Sequence, residues 1–333
     1  MKAFVIGTGS HLPPTVVTNE EIAAQLGVEP DWIYKVSGIR RRRWADPGTP
    51  TSSLGAAALR EAMTAAQLSA SDLDYLLFGT MTPDRFIPGS ASAVQASLGL
   101  KEIPCLDIRA TCCNALFGLQ VGKSLIASGV ARNVGLCLAE IQSPWLRLSP
   151  DAKTTSMLFG DGASAIIISG EGRDDSWEII DVVLATDGSH VGDLGIRCPG
   201  TEFGNTQNYA AVEHALDYAP AMAGQSVILH ALRKIAASCE TLLGRNQLRI
   251  EDVDWLVPHQ ANANLLTQIA RTIGFQKSDG VVSLLEDYGN TSSASMGLAL
   301  DKLRQSKRVE SGDNLLLPAF GAGFTWGAAL CRA

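Results

Sequence analysis

A cysteine starts an acyl-transfer reaction when its sulfur can become a thiolate in a place that a carbonyl carbon can reach, and Cys112 has that setting. It follows an apolar run, Pro104 to Ile108, after a short turn, and it opens a stretch in which Leu116, Leu119 and Ile126 recur at helical spacing. A thiol at a helix start meets unpaired backbone N–H groups and the positive end of the helix dipole, and both favour the thiolate. The competing interpretation is a small buried core residue, the commoner fate of cysteine, and it applies equally to Cys113. Two further segments weigh against it: Val257-Pro-His259-Gln-Ala-Asn262 and Asp287-Tyr-Gly-Asn290-Thr-Ser-Ser-Ala-Ser295. Alone, a histidine is often structural and Gly-Asn-Thr-Ser is an ordinary turn and N-cap. A thiol, an imidazole and a carboxamide together can attack a carbonyl and hydrogen-bond to the oxyanion that forms.

These residues must be brought together by the elements around them. Tyr75 to Phe78, Ser90 to Leu98, Ile103 to Ile108 and the run from Cys112 to Ser128 read as strand, helix, strand, helix. An internal echo is visible: Ser71 to Phe78 resembles Ile250 to Val257, with Asp74 answering Asp254. Near the same offset Asn133 to Leu138 answers Asn314 to Ala319, and the helix starting near Cys112 answers one starting near Ser293. The chain therefore reads as two similar α/β halves, 1–170 and 171–333, with Cys112 in the first and His259 and Asn290 in the second. The stretch from Gly188 to Asn208, rich in Gly, Pro and Asn, reads as an irregular excursion near the join. Mirrored strand ends and helix starts would face one another across the pseudo-twofold and collect the three residues in one cavity, at the carboxyl ends of strands.

Composition excludes several classes. The net charge of −7 disfavours general nucleic-acid binding, which needs a broad positive face. No apolar run is long enough to span a bilayer, and cytoplasm is the expected location. Seven cysteines, odd in number and without CxxC or Cys/His metal spacing, argue against a disulfide framework and a metal site.

With these motifs in hand, the chain resembles the thiolase-fold condensing enzymes, and most of all β-ketoacyl-acyl-carrier-protein synthase III. The likeness extends from Ile6-Gly-Thr-Gly-Ser10 and Leu12-Pro13 through Asp31-Trp32-Ile33, Ser37-Gly-Ile-Arg40 and Phe159-Gly-Asp-Gly-Ala163 to Ala319-Phe-Gly-Ala-Gly-Phe-Thr-Trp-Gly327. It implies two duplicated α/β halves stacked as αβαβα layers. It also implies Cys112 as nucleophile, an oxyanion hole from the backbone N–H groups of Cys112 and Gly323, and His259 and Asn290 as donors to the malonyl thioester carbonyl. The expected partners are an acyl-CoA or other acyl thioester donor, malonyl-acyl-carrier-protein or malonyl-CoA, and a second copy of the chain, with the loop from Arg85 to Ser90 near the partner's pocket. No metal or organic cofactor is implied.

Recognition residues depart from that family's pattern. Trp32 is present, but its usual arginine partner for adenine is Val36, which neither stacks on a base nor contacts phosphate. Lys35 and the run Arg40 to Arg43 either compensate or form a solvated surface, and Lys153 stands where an arginine is common. Asn264 replaces a carrier-docking arginine, with Arg271 nearby. Ile87 and Ile228 replace larger aromatics at the acyl pocket and the thioester tunnel, so the acyl donor is expected not to be simply acetyl-CoA. Two alternatives follow: a specialised synthase of polyketide or other secondary metabolism with another donor or acceptor, and a non-catalytic partner subunit, a type that usually lacks the nucleophile.

Overall fold

Short runs of β-branched and leucine side chains, each flanked by glycine or polar turns, form the strands, and longer runs with one apolar face form the helices. The structure, a computed structural model, describes residues 1–203 and 215–333. The first half contains β1 (Phe4–His11), β2 (Thr15–Thr18), α1 (Asn19–Leu26), α2 (Pro30–Ser37), β3 (Arg41–Trp44), α3 (Thr51–Ala65), β4 (Tyr75–Gly79), α4 (Ala91–Ser97), β5 (Cys105–Ile108), α5 (Asn114–Ala127), β6 (Asn133–Glu140), α6 (Lys153–Ser156) and β7 (Gly162–Ser169). The second contains β8 (Trp177–Thr186), β9 (Leu194–Gly195), β10 (Ala221–Met222), α7 (Gly224–Arg245), β11 (Trp255–Leu256), α8 (Ala263–Ile273), α9 (Leu285–Tyr288), α10 (Ser295–Ser306), β12 (Asn314–Gly321) and β13 (Thr325–Arg332).

The strand order is β5-β4-β6-β7-β1 in one half and β11-β12-β13-β8 in the other, with Val281 bridging to Leu256 where β5 has its counterpart. The two sets meet where β1 pairs briefly with β8, at Phe4–Glu178 and Val5–Trp177. Helix α5 packs on β4 and β6 of its own half and on β8 and β13 of the other. With α10 it forms a shared middle layer in which Leu116, Leu119, Met296 and Leu300 are fully or almost fully buried. Helices α3 and α4 cover the outer face of the first set, and α7 and α8 that of the second. These are the five αβαβα layers expected. Each buried leucine in the middle layer contributes about 1.5–3 kcal/mol. At Gly297 the two layers nearly touch, since an added Cβ would lie 2.2 Å from Ser164 Oγ on β7.

The duplication extends to individual hydrogen bonds. Asp74 accepts from the Asn133 N–H at 3.1 Å, and Asp254 from the Asn314 N–H at 2.9 Å. The Asn133 amide donates to the Asp72 carbonyl at 3.1 Å, and the Asn314 amide to the Asp252 carbonyl at 2.8 Å. Lysine partners are repeated too, Lys101 on Asp74 and Lys277 on Asp254.

Two expectations need correction. The helix after β5 begins at Asn114, and Cys112 lies in a single 3-10 turn ahead of it, Thr111–Cys113. The run Arg40 to Arg43 is only partly a solvated face. Arg40 and Arg41 pair with Glu286 and Asp287 at the surface, whereas Arg42 is buried, donating to Asn19 Oδ1 at 2.9 Å and to the Met157 carbonyl at 2.8 Å. Among the described residues, none of these three arginines lines the cavity into which Cys112 opens. Of the excursion from Gly188, the described part contains short turns and β9; residues 204–208 lie outside the described residues. Among the described residues no helix is long and apolar enough to cross a membrane.

Candidate active site

The turn carrying Cys112 is held open by backbone that residues other than glycine rarely adopt. Thr111 has φ +52°, and its mirror Ser292, in the turn before α10, has φ +49°. The far half of the chain supplies what holds the first turn. Thr111 Oγ1 donates to the Ala322 carbonyl at 3.1 Å, and the Cys113 thiol donates to the Thr325 carbonyl at 3.4 Å. Gly321, at the end of β12, touches the turn with bare backbone: an added Cβ would lie 3.0 Å from the Cys112 nitrogen. Only glycine permits that approach. Gly323, the expected second oxyanion donor, has φ +135° and follows Ala322, which lines the cavity that Cys112 opens into.

His259 and Asn290 line the same cavity as Cys112. The His259 backbone is fixed by its N–H bond to the Pro318 carbonyl at 3.0 Å, beside β12. Its Nδ1 lies 2.7 Å from Ser295 Oγ, which also accepts the Gln260 N–H at 3.2 Å. With the Ser295 O–H assigned as the donor to Nδ1, the imidazole proton sits on Nε2. Burial pushes the His259 pKa down to about 4, so the ring is neutral at physiological pH. Asn290 is held from both sides by the first half, its N–H on the Leu158 carbonyl at 2.8 Å and its carbonyl under the Gly160 N–H at 3.0 Å. Its Oδ1 accepts the Ser292 N–H at 2.8 Å, which leaves the carboxamide N–H groups as its donors.

The thiol differs from its expected state. Burial pushes Cys112 up to about 11, reinforced by the buried Glu140 carboxylate and opposed by a contact of 3.8 Å to Ser292 Oγ. The turn displaces Cys112 from the first residues of α5, and desolvation outweighs what the helix end supplies. A resting thiol is therefore protonated at neutral pH and its thiolate fraction grows about tenfold per pH unit. Alkylation of Cys112 by iodoacetamide, followed by peptide mass spectrometry, is expected to keep rising from about pH 7 to about pH 10. A plateau below about pH 8 would contradict this.

The cavity measures about 490 Å³. Val36 and Asn264 line it, Asn264 donating to the Val36 carbonyl at 3.0 Å, and so do Ile228, Met222 and Phe320. Met81, Thr82, Arg109 and Gln142 line it as well. The sequence-predicted recognition residues are thus divided. Ile228 is at the wall. Trp32 and Lys153 stand together outside it, with Lys153 Nζ 5.7 Å from the Trp32 ring centroid, a cation–π pair. Ile87 is 78% exposed beside Phe86 at 80%, away from the cavity of its own chain. Sequence reasoning missed Ser292, Ser295 and Glu140. The first of these carries a signal in its offset, since Ser292 and Ser293 answer Thr111 and Cys112.

Two mirrored halves in five layers, with a cysteine turn facing a histidine and an asparagine from the other half, define a thiolase-fold condensing acyltransferase. Comparison with known proteins narrows this. The family described as 3-oxoacyl-acyl-carrier-protein (ACP) synthase III matches residues 106–188, and its C-terminal region matches residues 243–333. A β-ketoacyl-acyl-carrier-protein synthase III of Chlamydia caviae is 37% identical over 331 residues, 99% of this chain and 97% of the relative. Crystal structures of 3-oxoacyl-acyl-carrier-protein synthase III superpose over nearly the whole chain. The one from Aquifex aeolicus has a TM-score of 0.89 at 31% identity, covering 99% of this chain and 100% of the other. The one from Pseudomonas aeruginosa has 0.88 at 31%, covering 100% and 98%. The chain belongs to the β-ketoacyl-acyl-carrier-protein synthase III family. That membership favours the condensing enzyme over the specialised and non-catalytic alternatives.

Proposed function

We propose that this enzyme joins an acyl group, carried on Cys112, to the two-carbon unit of a malonyl thioester, delivered on acyl carrier protein as the names of its relatives indicate. In the first half-reaction Cys112 Sγ attacks the donor's thioester carbonyl; the sulfur–carbon bond forms, the oxyanion collapses, and the departing thiolate takes up the proton that Cys112 gave up. The backbone N–H groups of Cys112 and Gly323 hold the oxyanion. In the second, CO2 leaves the malonyl group and its electron pair becomes an enolate, held by Nε2–H of His259 and the carboxamide of Asn290. The enolate carbon attacks the acyl carbonyl, and Cys112 leaves as thiolate and regains a proton from solvent. The observation that carries this reading is the pair of neutral donors, a desolvated His259 and an Asn290 whose oxygen is already occupied. Enolate stabilisation requires donors rather than a strong base.

The donor enters past Val36 and Asn264, and Trp32 with Lys153 forms a stacking and charge platform for the nucleotide end of an acyl-CoA. Isoleucine at 228 leaves room in the wall, and the proposed donor carries more than an acetyl group. The pairing surface for a second copy is β5, an edge strand with Leu106 43% exposed, whose Asp107 accepts the Ser90 N–H at 2.8 Å from the loop that carries Phe86 and Ile87. Ile87 would then close the partner's pocket rather than its own. All seven cysteines are unpaired, which supports a reducing compartment, the cytoplasm. The test is a panel of acetyl, branched short-chain and medium-chain CoA thioesters, scored by the rate at which Cys112 is acylated. Faster loading by a branched or medium-chain donor is expected, and exclusive fast loading by acetyl-CoA would overturn the donor assignment.

A further inference from the structure

Ser293 is the counterpart of Cys112 in the second half, and its hydroxyl is committed: it donates to Glu140 Oε1 at 2.6 Å. Glu140 ends β6 and is fully buried. Its carboxylate also accepts from the Met81 N–H at 3.0 Å, from Thr82 Oγ1 at 2.9 Å and from Thr80 Oγ1 at 3.3 Å. Thr82 Oγ1 is itself an acceptor for the Ile141 N–H at 2.9 Å, and Thr80 Oγ1 for the Thr82 N–H at 3.0 Å. Burial raises the Glu140 pKa, and Ser293, the Met81 N–H and Thr82 oppose that rise, the donor set that an ionised carboxylate needs. A buried carboxylate is costly unless donors surround it, and apolar residues would pack the same space without that cost.

The mirror position of Glu140 is Gly321, at the same offset that relates Cys112 to Ser293. The end of β12 therefore seats the Cys112 turn, and the end of β6 seats the Ser293 turn. The first seat is bare backbone; the second is a clamp. From Ser293 the chain leads directly back to Ser292, whose Oγ is 3.8 Å from Cys112 Sγ and whose N–H holds Asn290 Oδ1 at 2.8 Å.

We propose that Glu140 is a positioning residue for the condensation half-reaction, its carboxylate clamping Ser293 so that the segment from Asn290 to Ser292 stays aimed at Cys112. This rests on the roles given above to Cys112 and Asn290. The carboxylate has a second effect, because its charge opposes ionisation of the Cys112 thiol. Among the described residues, the other titratable or charged groups that share its turn or its cavity are Cys113, His259 and Arg109.

The test uses the full chain with Glu140→Gln and, separately, Ser293→Ala. For Glu140→Gln the acyl-loading burst keeps its amplitude and condensation falls about tenfold or more. The pH profile of Cys112 alkylation shifts to lower pH, because a negative charge has gone. Ser293→Ala keeps the charge, so condensation falls several-fold and the alkylation profile stays. The inference is overturned if folded Glu140→Gln condenses at the wild-type rate, whatever its alkylation profile, or if loading and condensation fall in equal proportion. Should Glu140→Gln not fold, full condensation by Ser293→Ala overturns it. A wild-type protein whose Cys112 is never acylated fails the functional reading instead, and that control is run first.

Discussion

Replacing Cys112 with alanine is expected to abolish the acyl-enzyme and to lower condensation by at least about 10⁴-fold. The effect is large because no neighbouring group can take over. Cys113 is fully buried, with its thiol committed to the Thr325 carbonyl at 3.4 Å and pushed well above the usual thiol range by burial. Ser292, 3.8 Å from the Cys112 sulfur, is a hydroxyl without a base placed to activate it, since the Nδ1 of His259 is engaged by Ser295 and burial leaves that ring only weakly basic. The fold should not suffer, because Cys112 occupies a cavity wall rather than the middle-layer core. Circular dichroism and thermal unfolding of the variant should match wild type. Residual condensation above about 1% of wild type would show that the nucleophile lies elsewhere.

Asn290→Asp separates the half-reactions. The new carboxylate oxygen can still accept the Ser292 N–H, so the turn keeps its shape, but the donor is lost and a negative charge faces the developing enolate. Condensation is expected to fall about 10²–10³-fold, equivalent to about 3–4 kcal/mol of lost oxyanion-type stabilisation. Acyl loading is expected to change by less than about threefold, because in the proposed mechanism loading uses the backbone donors at Cys112 and Gly323. Rapid-quench measurement of acyl-enzyme formation beside steady-state condensation checks both. Equal losses in the two steps would mean that Asn290 supports the fold of the turn and not the enolate.

The candidate catalytic set was legible because chemistry and duplication converge on it. Cys112, His259 and Asn290 carry functional groups of restricted types, and the offset that maps Asp74 onto Asp254 places them on mirrored strand ends and helix starts. The five-layer fold agrees with the same offset. What the sequence did not disclose is set by three-dimensional neighbours. The high pKa of Cys112 comes from desolvation and from Glu140, which stands at the end of another strand. Glu140 itself reads as one more polar residue at a strand end until Met81, Thr80, Thr82 and Ser293 are seen around it. Trp32, Lys153 and Ile87 were placed by family resemblance, and resemblance specifies a role without saying which cavity the side chain reaches. Arg42 shows the reverse: it looks like part of a solvated basic run, yet its guanidinium holds Asn19 and the Met157 carbonyl in the core.

The central claim is that Cys112 carries the acyl group between two half-reactions. Intact-protein and peptide mass spectrometry after mixing the wild-type enzyme with an acyl-CoA should show one acyl adduct, confined to the peptide containing Cys112. Addition of malonyl-acyl-carrier-protein should discharge that adduct as the β-ketoacyl product forms. An adduct on any other residue, or one on Cys112 that persists while product accumulates, would contradict the account.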